Sequence, residues 1–145
     1  MRALQFVATL AAALFAGAAL YINIAEHPAR MTLDTLTAAS QWAPSYKRAT
    51  WLQAPLAVIS CLCGASVWWL DGGTGWLAAA LLIGAVVPFT LIVIMPTNNQ
   101  LLAPGRDLAS AETRDLLGRW ARLHAARTVL SLLAAGLFVG LLLPG

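Results

Sequence analysis

Four long apolar runs constrain the fold of this chain more than any other feature of its sequence. They cover residues 3–25, 50–70, 76–95 and about 124–143. A helix rises about 1.5 Å per residue, so about 20 residues cross the ~30 Å hydrocarbon core of a bilayer. Only 10% of the residues are charged and 60% are hydrophobic, whereas soluble domains carry roughly 25% charged residues. The sequence therefore predicts an integral membrane protein with an all-α fold, a four-transmembrane-helix up-down bundle.

The breaks between the apolar runs set the expected helix boundaries. Pro28 and the sequence PTNNQ after Met95 predict helix ends, because proline interrupts the hydrogen-bond ladder. Ser110 is a candidate N-cap for a long last helix that extends into the cytoplasm. The segment 31–45 is expected to hold a short surface helix packed by Leu33, Leu36 and Trp42. A single membrane domain over residues 1–145 is predicted, with helices at about 3–27, 46–70, 76–95 and 110–143.

A cleaved signal peptide is the competing interpretation of the N-terminal run. The small residues AGAA at 16–19 fit a cleavage site only weakly, and the apolar run continues beyond them without a polar gap. We therefore expect this run to remain as the first helix.

The distribution of Lys and Arg predicts the orientation in the membrane. Arg2 alone lies on the side of the termini and of the 71–75 turn, whereas the other eight of the nine basic residues lie in or beside the two larger loops. Under the positive-inside rule these loops face the cytoplasm and both termini lie outside. We expect a bacterial inner (plasma) membrane. Basic residues beside membrane helices meet anionic lipid, so the pI of about 9.4 requires no nucleic acid partner.

Polar side chains are concentrated near one end of every predicted helix, the end that the charge pattern places in the cytoplasm. On the first helix they are spaced i, i+3, i+4 and i+7 and therefore share one face. Up-down topology brings all these groups to the same depth, so we expect a common polar pocket. Its candidate residues, in chain order, are Asn23, Glu26, His27, Arg30, Tyr46, Thr50, Gln53, Thr97, Asn98, Asn99, Trp120, His124, Arg127 and Ser131.

Arg127 is expected to lie inside the apolar slab, because a ~20-residue span counted back from Leu143 reaches His124. A cation at that depth costs ~2.5–3.5 kcal/mol on insertion scales unless it is paired or hydrated. Its expected partners are Glu26, Asn98 and Tyr46. The arginines expected instead to reach water or lipid headgroups are Arg30, Arg48, Arg119 and Arg122.

The two histidines, His27 and His124, lie on different predicted helices and leave three interpretations open. They would serve as an axial pair for haem or a metal, with Glu26 as an oxygen ligand, although no H-x-x-H, E-x-x-H or C-x-x-C spacing supports a metal. One of them would act as a base at neutral pH. Alternatively, both bridge helix ends. The groups that would hold an oxyanion in the acid–base interpretation are Arg127, Lys47 and Asn98.

Two further patterns are assigned to packing. Cys61 and Cys63 point to different sides of a helix, so they are expected to be free and apolar in character, neither a disulfide nor a metal clip. The sequence GLFVG at 136–140 is a G-x-x-x-G pattern, which lets membrane helices approach closely. The first helix carries similarly spaced small residues, Ala12, Ala13, Ala16 and Gly17.

Four motifs together resemble the anthrone oxygenase-like family of small integral membrane proteins. They are LFAGAALYINIAEHPAR, SYKRATWLQAPLA, PFTLIVIMPTNNQLL and RWARLHAARTVLSLLA, and they extend over nearly the whole chain. The resemblance implies an oxygenase-type oxidoreductase, a monooxygenase that oxidises an anthrone with O₂ in a polyketide pathway and without a conventional cofactor. The implied partners are a lipophilic aromatic or phenolic small molecule, O₂ and membrane lipid, and a homo-oligomer is left open.

The predicted roles combine this resemblance with the polar pocket. His27 or His124 is the expected base, and Arg127, Asn98 and Tyr46 complete the catalytic set. The predicted substrate-binding residues are Asn23, Gln53, Asn99, Glu26, Lys47 and Trp120. No cofactor is predicted, and haem or a metal ion held by the two histidines stays open. The alternative function is a non-enzymatic membrane protein, either a haem- or ligand-binding module or a small transport or scaffold subunit.

Overall fold

The computed structural model describes residues 1–143, and within that range the chain forms four long helices and no strand. Each helix is long and apolar enough to cross a membrane. This confirms the predicted all-α membrane fold. The helices are α1 (Arg2–Arg30), α2 (Thr35–Asp71), α3 (Thr74–Leu101) and α4 (Ala111–Leu142).

Helices that follow one another in the chain run antiparallel, and α4 returns to α1. The start of α1 lies beside the second half of α2, where the Ser60 hydroxyl donates to the Ala8 carbonyl at 2.8 Å. The start of α3 lies beside the end of α4, where the rings of Trp76 and Phe138 are 5.6 Å apart. Each helix thus packs mainly on two neighbours, with α1 diagonal to α3 and α2 diagonal to α4.

The buried apolar side chains form two separate layers along the helices. One layer, at the end with the chain termini, is built on Phe15, Ile83 and Phe138 with many small alanines. The other, toward the two larger loops, is built on Trp42 and Trp120. On α2 and α4 the polar residues Gln53, His124 and Arg127 fall between these two layers in the sequence. The fold therefore brackets a polar level with apolar packing on both sides.

Helix α2 begins eleven residues earlier than the sequence predicted, at Thr35 instead of 46. Asp34 caps it by accepting hydrogen bonds from the Thr37 hydroxyl at 2.6 Å and the Thr37 N–H at 2.9 Å, and these bonds lower the pKa of the Asp34 carboxyl. Pro44 lies inside the helix without ending it. The extra turns bury Trp42, whereas Leu33 and Leu36 are exposed and do not pack as expected.

Helices α1 and α3 continue through the prolines that were expected to end them. Each contains a π-helical turn just before its proline, at Ile22–Glu26 in α1 and at Thr90–Ile94 in α3. A π turn shifts the hydrogen-bond register, so Pro28 and Pro96, which have no N–H, occupy the first turn after a register change, where proline is tolerated. As a result, α1 reaches Arg30, and the PTNNQ sequence is helical to Leu101.

The glycines that allow close helix packing are not those of the G-x-x-x-G pattern. Gly136 and Gly140 are exposed, and a Cβ on either would meet nothing within 4 Å. The close approach is instead at Gly64, where a Cβ would lie 2.8 Å from the Phe138 ring, and at Gly84, where it would lie 2.8 Å from the Cys61 sulfur. The G-x-x-x-G spacing does not specify which way its helix face points, and in this fold that face points away from the neighbouring helices.

Substitution of Gly64 by Ala should therefore destabilise the protein. The added methyl group would press on the Phe138 ring, and overpacking of this kind costs about 1–3 kcal/mol. We expect a lower midpoint of thermal unfolding in detergent. The matched substitution Gly136→Ala should leave the midpoint unchanged or raise it, since alanine favours helix over glycine; a loss at Gly136 as large as that at Gly64 would contradict the packing described.

Candidate active site

The π turn in α1 divides its polar face between two neighbouring helices. Asn23 turns toward α4, where its side-chain amide reaches Ala121 and Thr128. Glu26 turns instead toward Ser45 of α2. The four polar residues at the end of α1 therefore do not act as one face, as their spacing had predicted, but contribute to two hydrogen-bond networks.

The first network joins α1 to α4 through Asn23. Its Oδ1 lies 2.7 Å from Nδ1 of His124 and accepts a hydrogen bond from the Thr128 hydroxyl at 2.5 Å. Its Nδ2 donates to the carbonyl of Ala121 at 3.3 Å. The amide orientation is thus fixed from both ends, so the oxygen of Asn23 faces His124.

This arrangement selects one tautomer of His124. A carboxamide oxygen only accepts, so Nδ1 of His124 must carry the proton that is shared with Asn23. A neutral imidazole that donates from Nδ1 has its lone pair on Nε2. The Asn23–His124 pair therefore presents an imidazole whose Nε2 is able to take up a proton.

His27 has the opposite arrangement. Its Nδ1 lies 3.1 Å from Nη1 of Arg30, which only donates, so Nδ1 accepts and Nε2 carries the proton. This Nε2 is buried without a hydrogen-bond partner. The two histidines, which the sequence did not distinguish, therefore differ: a neutral His27 presents an N–H from its free nitrogen, and a neutral His124 presents a lone pair.

Arg127 lies one helical turn after His124 and has few partners. Its Nη2 donates to Oε1 of Gln53 on the diagonal helix α2, and its guanidinium carbon lies 4.9 Å from the centre of the Phe15 ring. Its Nε is buried without a partner. Glu26, Asn98 and Tyr46, the expected partners, do not hydrogen-bond to it. The guanidinium of Arg127 thus contacts the side-chain amide of Gln53 and the ring of Phe15.

A small polar cavity lies beside these groups. It has a volume of about 20 Å³, enough for one water molecule. Its wall includes His124, Arg127, Gln53 and Asn98. Asn98 is completely buried, yet neither atom of its amide has a partner, and Nε2 of Gln53 is also unpartnered. Buried polar atoms normally have partners, so this cavity offers unused donors and acceptors.

A larger, mostly apolar groove adjoins the small cavity. It has a volume of about 130 Å³ and lies between α2 and α3, with Phe15 of α1 and Arg127 of α4 at its inner end. Tyr46, Thr50 and Arg127 line both spaces. The site therefore consists of a polar cavity and an apolar groove that share one wall.

The second network surrounds Arg30. The sequence predicted that Arg30 reaches water or headgroups, but only 4% of its surface is exposed. Its Nη2 lies 2.6 Å from Oε1 of Glu26 and 3.2 Å from the Ser45 hydroxyl, and its Nε donates to Gln41. Because α2 starts early, Gln41 and Ser45 are helical residues beside Arg30. The ion pair itself joins residues four apart on α1, and only a correct start for α2 could have placed Gln41 and Ser45 beside it.

Stacked aromatic rings connect the two networks. Trp42 stacks on Tyr46 at 5.1 Å and meets the edge of Trp120 at 5.8 Å. Trp120 in turn contacts the rings of both His27 and His124, at 5.2 and 4.8 Å. Trp42 lines the polar cavity and its indole N–H is buried without a partner. The sequence had assigned Trp42 to surface packing, so this site residue was missed.

Most of the predicted site residues come together in these networks, but four of them do not. Thr97 and Ser131 are buried but line neither space. Lys47 and Asn99 are exposed and line neither space. Thr128, which the sequence did not single out, joins the network of Asn23. The residues that the structure does bring to the two networks or to the walls of the cavity and groove are Asn23, Glu26, His27, Tyr46, Gln53, Asn98, Trp120, His124 and Arg127.

Within residues 1–143, no three His, Cys, Asp or Glu side chains are grouped in a way that could hold a metal ion. Cys61 and Cys63 are both free, as predicted.

Comparison with known proteins identifies the family. The sequence profile of the family described as anthrone oxygenase matches residues 42–137. Anthrone oxygenase tpcL of Aspergillus fumigatus is 34% identical over 143 residues, which cover 90% of this chain and 88% of the relative. Anthrone oxygenase ptaC of Pestalotiopsis fici is 33% identical over 115 residues, covering 68% of this chain and 80% of the relative.

A third relative, an anthrone oxygenase of Claviceps purpurea, is 33% identical over 108 residues, or 66% of this chain and 62% of its own length. No solved structure matches the chain. The profile covers well over half of the sequence, and the Aspergillus relative is similar over almost its whole length. The chain therefore belongs to the anthrone oxygenase family.

Proposed function

We propose that this protein is a membrane oxygenase that oxidises a lipophilic phenolic aromatic, an anthrone or a close analogue, with O₂. The observation that carries the proposal is the Asn23–His124 pair, whose histidine lines the polar cavity together with Arg127, while Arg127 also lines the adjoining apolar groove. A base, a cation and an apolar binding surface are the three groups that this chemistry requires. The names of the relatives, which are anthrone oxygenases, supply the substrate class.

The proposed reaction converts the CH₂ group of an anthrone into a carbonyl. A base removes one proton from this carbon and gives an enolate, which passes an electron to O₂; the resulting radical and superoxide combine to form a C–O bond. After protonation, the hydroperoxide loses water by cleavage of its O–O bond and loss of the second C–H proton. One anthrone and one O₂ thus give one anthraquinone and one H₂O, with no external reductant.

The roles of the residues follow from their contacts. His124 is the base, because Asn23 holds its proton on Nδ1 and leaves Nε2 free to accept another. Arg127 and Asn98 stabilise the enolate oxygen, with Tyr46 at the shared wall. Gln53 orients Arg127 and does not itself react. His27 lines neither space, so we assign it to packing on Trp120.

We further propose that the reaction uses no resident cofactor. The enolate of an anthrone is electron-rich enough to reduce O₂ directly. Its electron pair forms the C–O bond, and the electrons of the second C–H bond cleave the O–O bond, so the substrate supplies all four electrons. The protein contributes a positioned base, a charge and an environment with little water.

Substitution His124→Ala should lower the rate of anthrone oxidation by about 10²–10⁴-fold, the usual contribution of a general base. The measurement is O₂ uptake by purified protein in nanodiscs, together with the absorbance of the quinone. His27→Ala serves as the matched control and should cause a much smaller loss, because His27 lies outside both spaces. Unchanged turnover in His124→Ala, at equal thermal stability, would remove His124 from the role proposed.

The purified active protein should show no Soret band and should consume anthrone and O₂ in a 1:1 ratio. Both expectations follow from a reaction in which the substrate is the only electron source. A visible absorption scan and treatment with a strong chelator test them. A Soret band that scales with activity, or loss of activity that added metal restores, would contradict the cofactor-free proposal.

We propose that the two larger loops face the cytoplasm, and the distribution of Lys and Arg supports this orientation. In a variant with both native cysteines replaced by alanine, Lys47→Cys should be shielded from an impermeant maleimide in intact cells. Asp71→Cys, at the opposite end of α2, should be labelled. Both positions are exposed in the structure, so the reverse pattern would overturn the proposed orientation.

A further inference from the structure

The apolar groove opens to the outside of the helix bundle between α2 and α3. Its outer residues include Ala54 and Leu91, both of which are exposed. In a helix that crosses a membrane, an exposed apolar side chain meets lipid. The groove thus runs from the lipid-facing surface inward to Arg127.

Small side chains and the π turn of α3 create this opening. On α2 the groove is lined by Ala54 and Ala57, whose side chains fill little space. On α3 it is lined by Thr90 and Leu91, the first two residues of the π turn. The Thr90 hydroxyl donates to the Val86 carbonyl at 2.6 Å, which also accepts the backbone N–H of Thr90. The hydroxyl is therefore satisfied by its own helix.

The inner end of the groove carries a positive charge without a counter-ion. Within residues 1–143 the ion pairs are Arg30–Glu26 and Arg106–Glu112, and no carboxylate of this range lies within 4.0 Å of Arg127. Its Nε is buried and unpartnered. A guanidinium in an apolar setting binds an anion strongly, since the alternative is an unpaired buried charge.

We propose that this groove is a lateral binding site through which a flat, apolar ligand with one anionic group reaches the active site from the lipid, its charge facing Arg127. The proposal rests on the proposed function for the choice of a flat aromatic ligand. The polar cavity, at about 20 Å³, is too small for a ring system, whereas the groove holds about 130 Å³ and is open on one side. The rings therefore lie in the groove and only the reacting edge meets the polar wall.

The proposal makes Arg127 a specificity residue. Neutral aromatics partition into the lipid and into the groove with little difference in environment, so they gain little on binding. A ligand with a phenolate or carboxylate gains the interaction with the guanidinium. The site should thus favour the anionic form of a ligand over a neutral compound of the same shape.

Binding of anthracene-2-carboxylate and of anthracene to the full-length protein in phosphatidylcholine nanodiscs tests this inference. Energy transfer from tryptophan to the probe, corrected with empty nanodiscs, reports binding. We expect the carboxylate to bind at least about tenfold more tightly than anthracene, a difference of ~1.4 kcal/mol. Arg127→Met should remove this preference, and Arg127→Lys should keep part of it.

Ala54→Leu fills the groove without touching the charge, so it should weaken binding of the carboxylate probe by about tenfold or more. Ala13→Leu is the matched control, because Ala13 is exposed on α1 and lines neither space; binding should not change. If Arg127→Met does not fold, the comparison of the two probes and the Ala54→Leu variant still decide the matter.

Equal binding of the two probes, or unchanged binding in Ala54→Leu, would overturn the lateral site. Displacement of the probe by an equal concentration of oleate would also overturn it, since an acyl chain would then be the natural occupant. The two proposals fail separately. Charge-selective binding without anthrone oxidation would support the lateral site and contradict the proposed reaction. Anthrone oxidation that is unaffected by Ala54→Leu would support the reaction and contradict the lateral site.

Discussion

The cost of placing polar side chains within membrane-spanning helices is the constraint on which the rest of this structure depends. An unsatisfied polar group at that depth costs several kcal/mol, so a hydrogen bond to another helix is strongly stabilising there. Asn23 on α1 meets His124 on α4, and Arg127 on α4 meets Gln53 on α2. The second contact crosses the diagonal of the bundle. These bonds hold the helices together at the same level where the proposed chemistry takes place.

Most of the buried polar atoms without partners belong to residues that line the cavity, where a ligand would bind. Asn98, Nε2 of Gln53 and Nε of Arg127 have no partners, although all three are buried. By contrast, the cluster around Arg30 contains an ion pair and several further hydrogen bonds. The protein thus has one polar cluster built on an ion pair, which joins α1 to α2 and leaves Nε2 of His27 unpartnered, and a second cluster with several unpartnered atoms beside a cavity. A base and a charge with spare bonding capacity are what an acid–base oxygenase requires.

The sequence predicted the membrane fold and most of the polar site because both depend on simple periodicities. Spans of about 20 apolar residues define the helices, and up-down topology brings their polar ends together. The wrong predictions came from sequence rules about proline and glycine at positions where tertiary packing determines the structure. Pro44 lies within α2 because Asp34 caps the helix early and Trp42 is buried in its first turns. Gly136 and Gly140 have the spacing of a helix contact but face outward.

The details of the site could not be predicted, because they depend on the π turns. The turn at Ile22–Glu26 sends Asn23 toward α4 and Glu26 toward α2, and no helical wheel of period 3.6 separates them in this way. The difference between the two histidines follows from this separation. His124 meets an acceptor, Asn23, whereas His27 meets a donor, Arg30. The sequence alone does not distinguish the two histidines. Their hydrogen-bond partners in the structure assign which ring nitrogen of each carries the proton.

The most direct test of this account is an experimental structure of the protein in lipid with anthracene-2-carboxylate bound. The account predicts the rings between α2 and α3, the carboxylate at about 3 Å from the Arg127 guanidinium, and Nδ1 of His124 still bonded to Asn23. Rings placed on the outer lipid surface, with Arg127 paired to a protein carboxylate and solid packing in the groove, would contradict it.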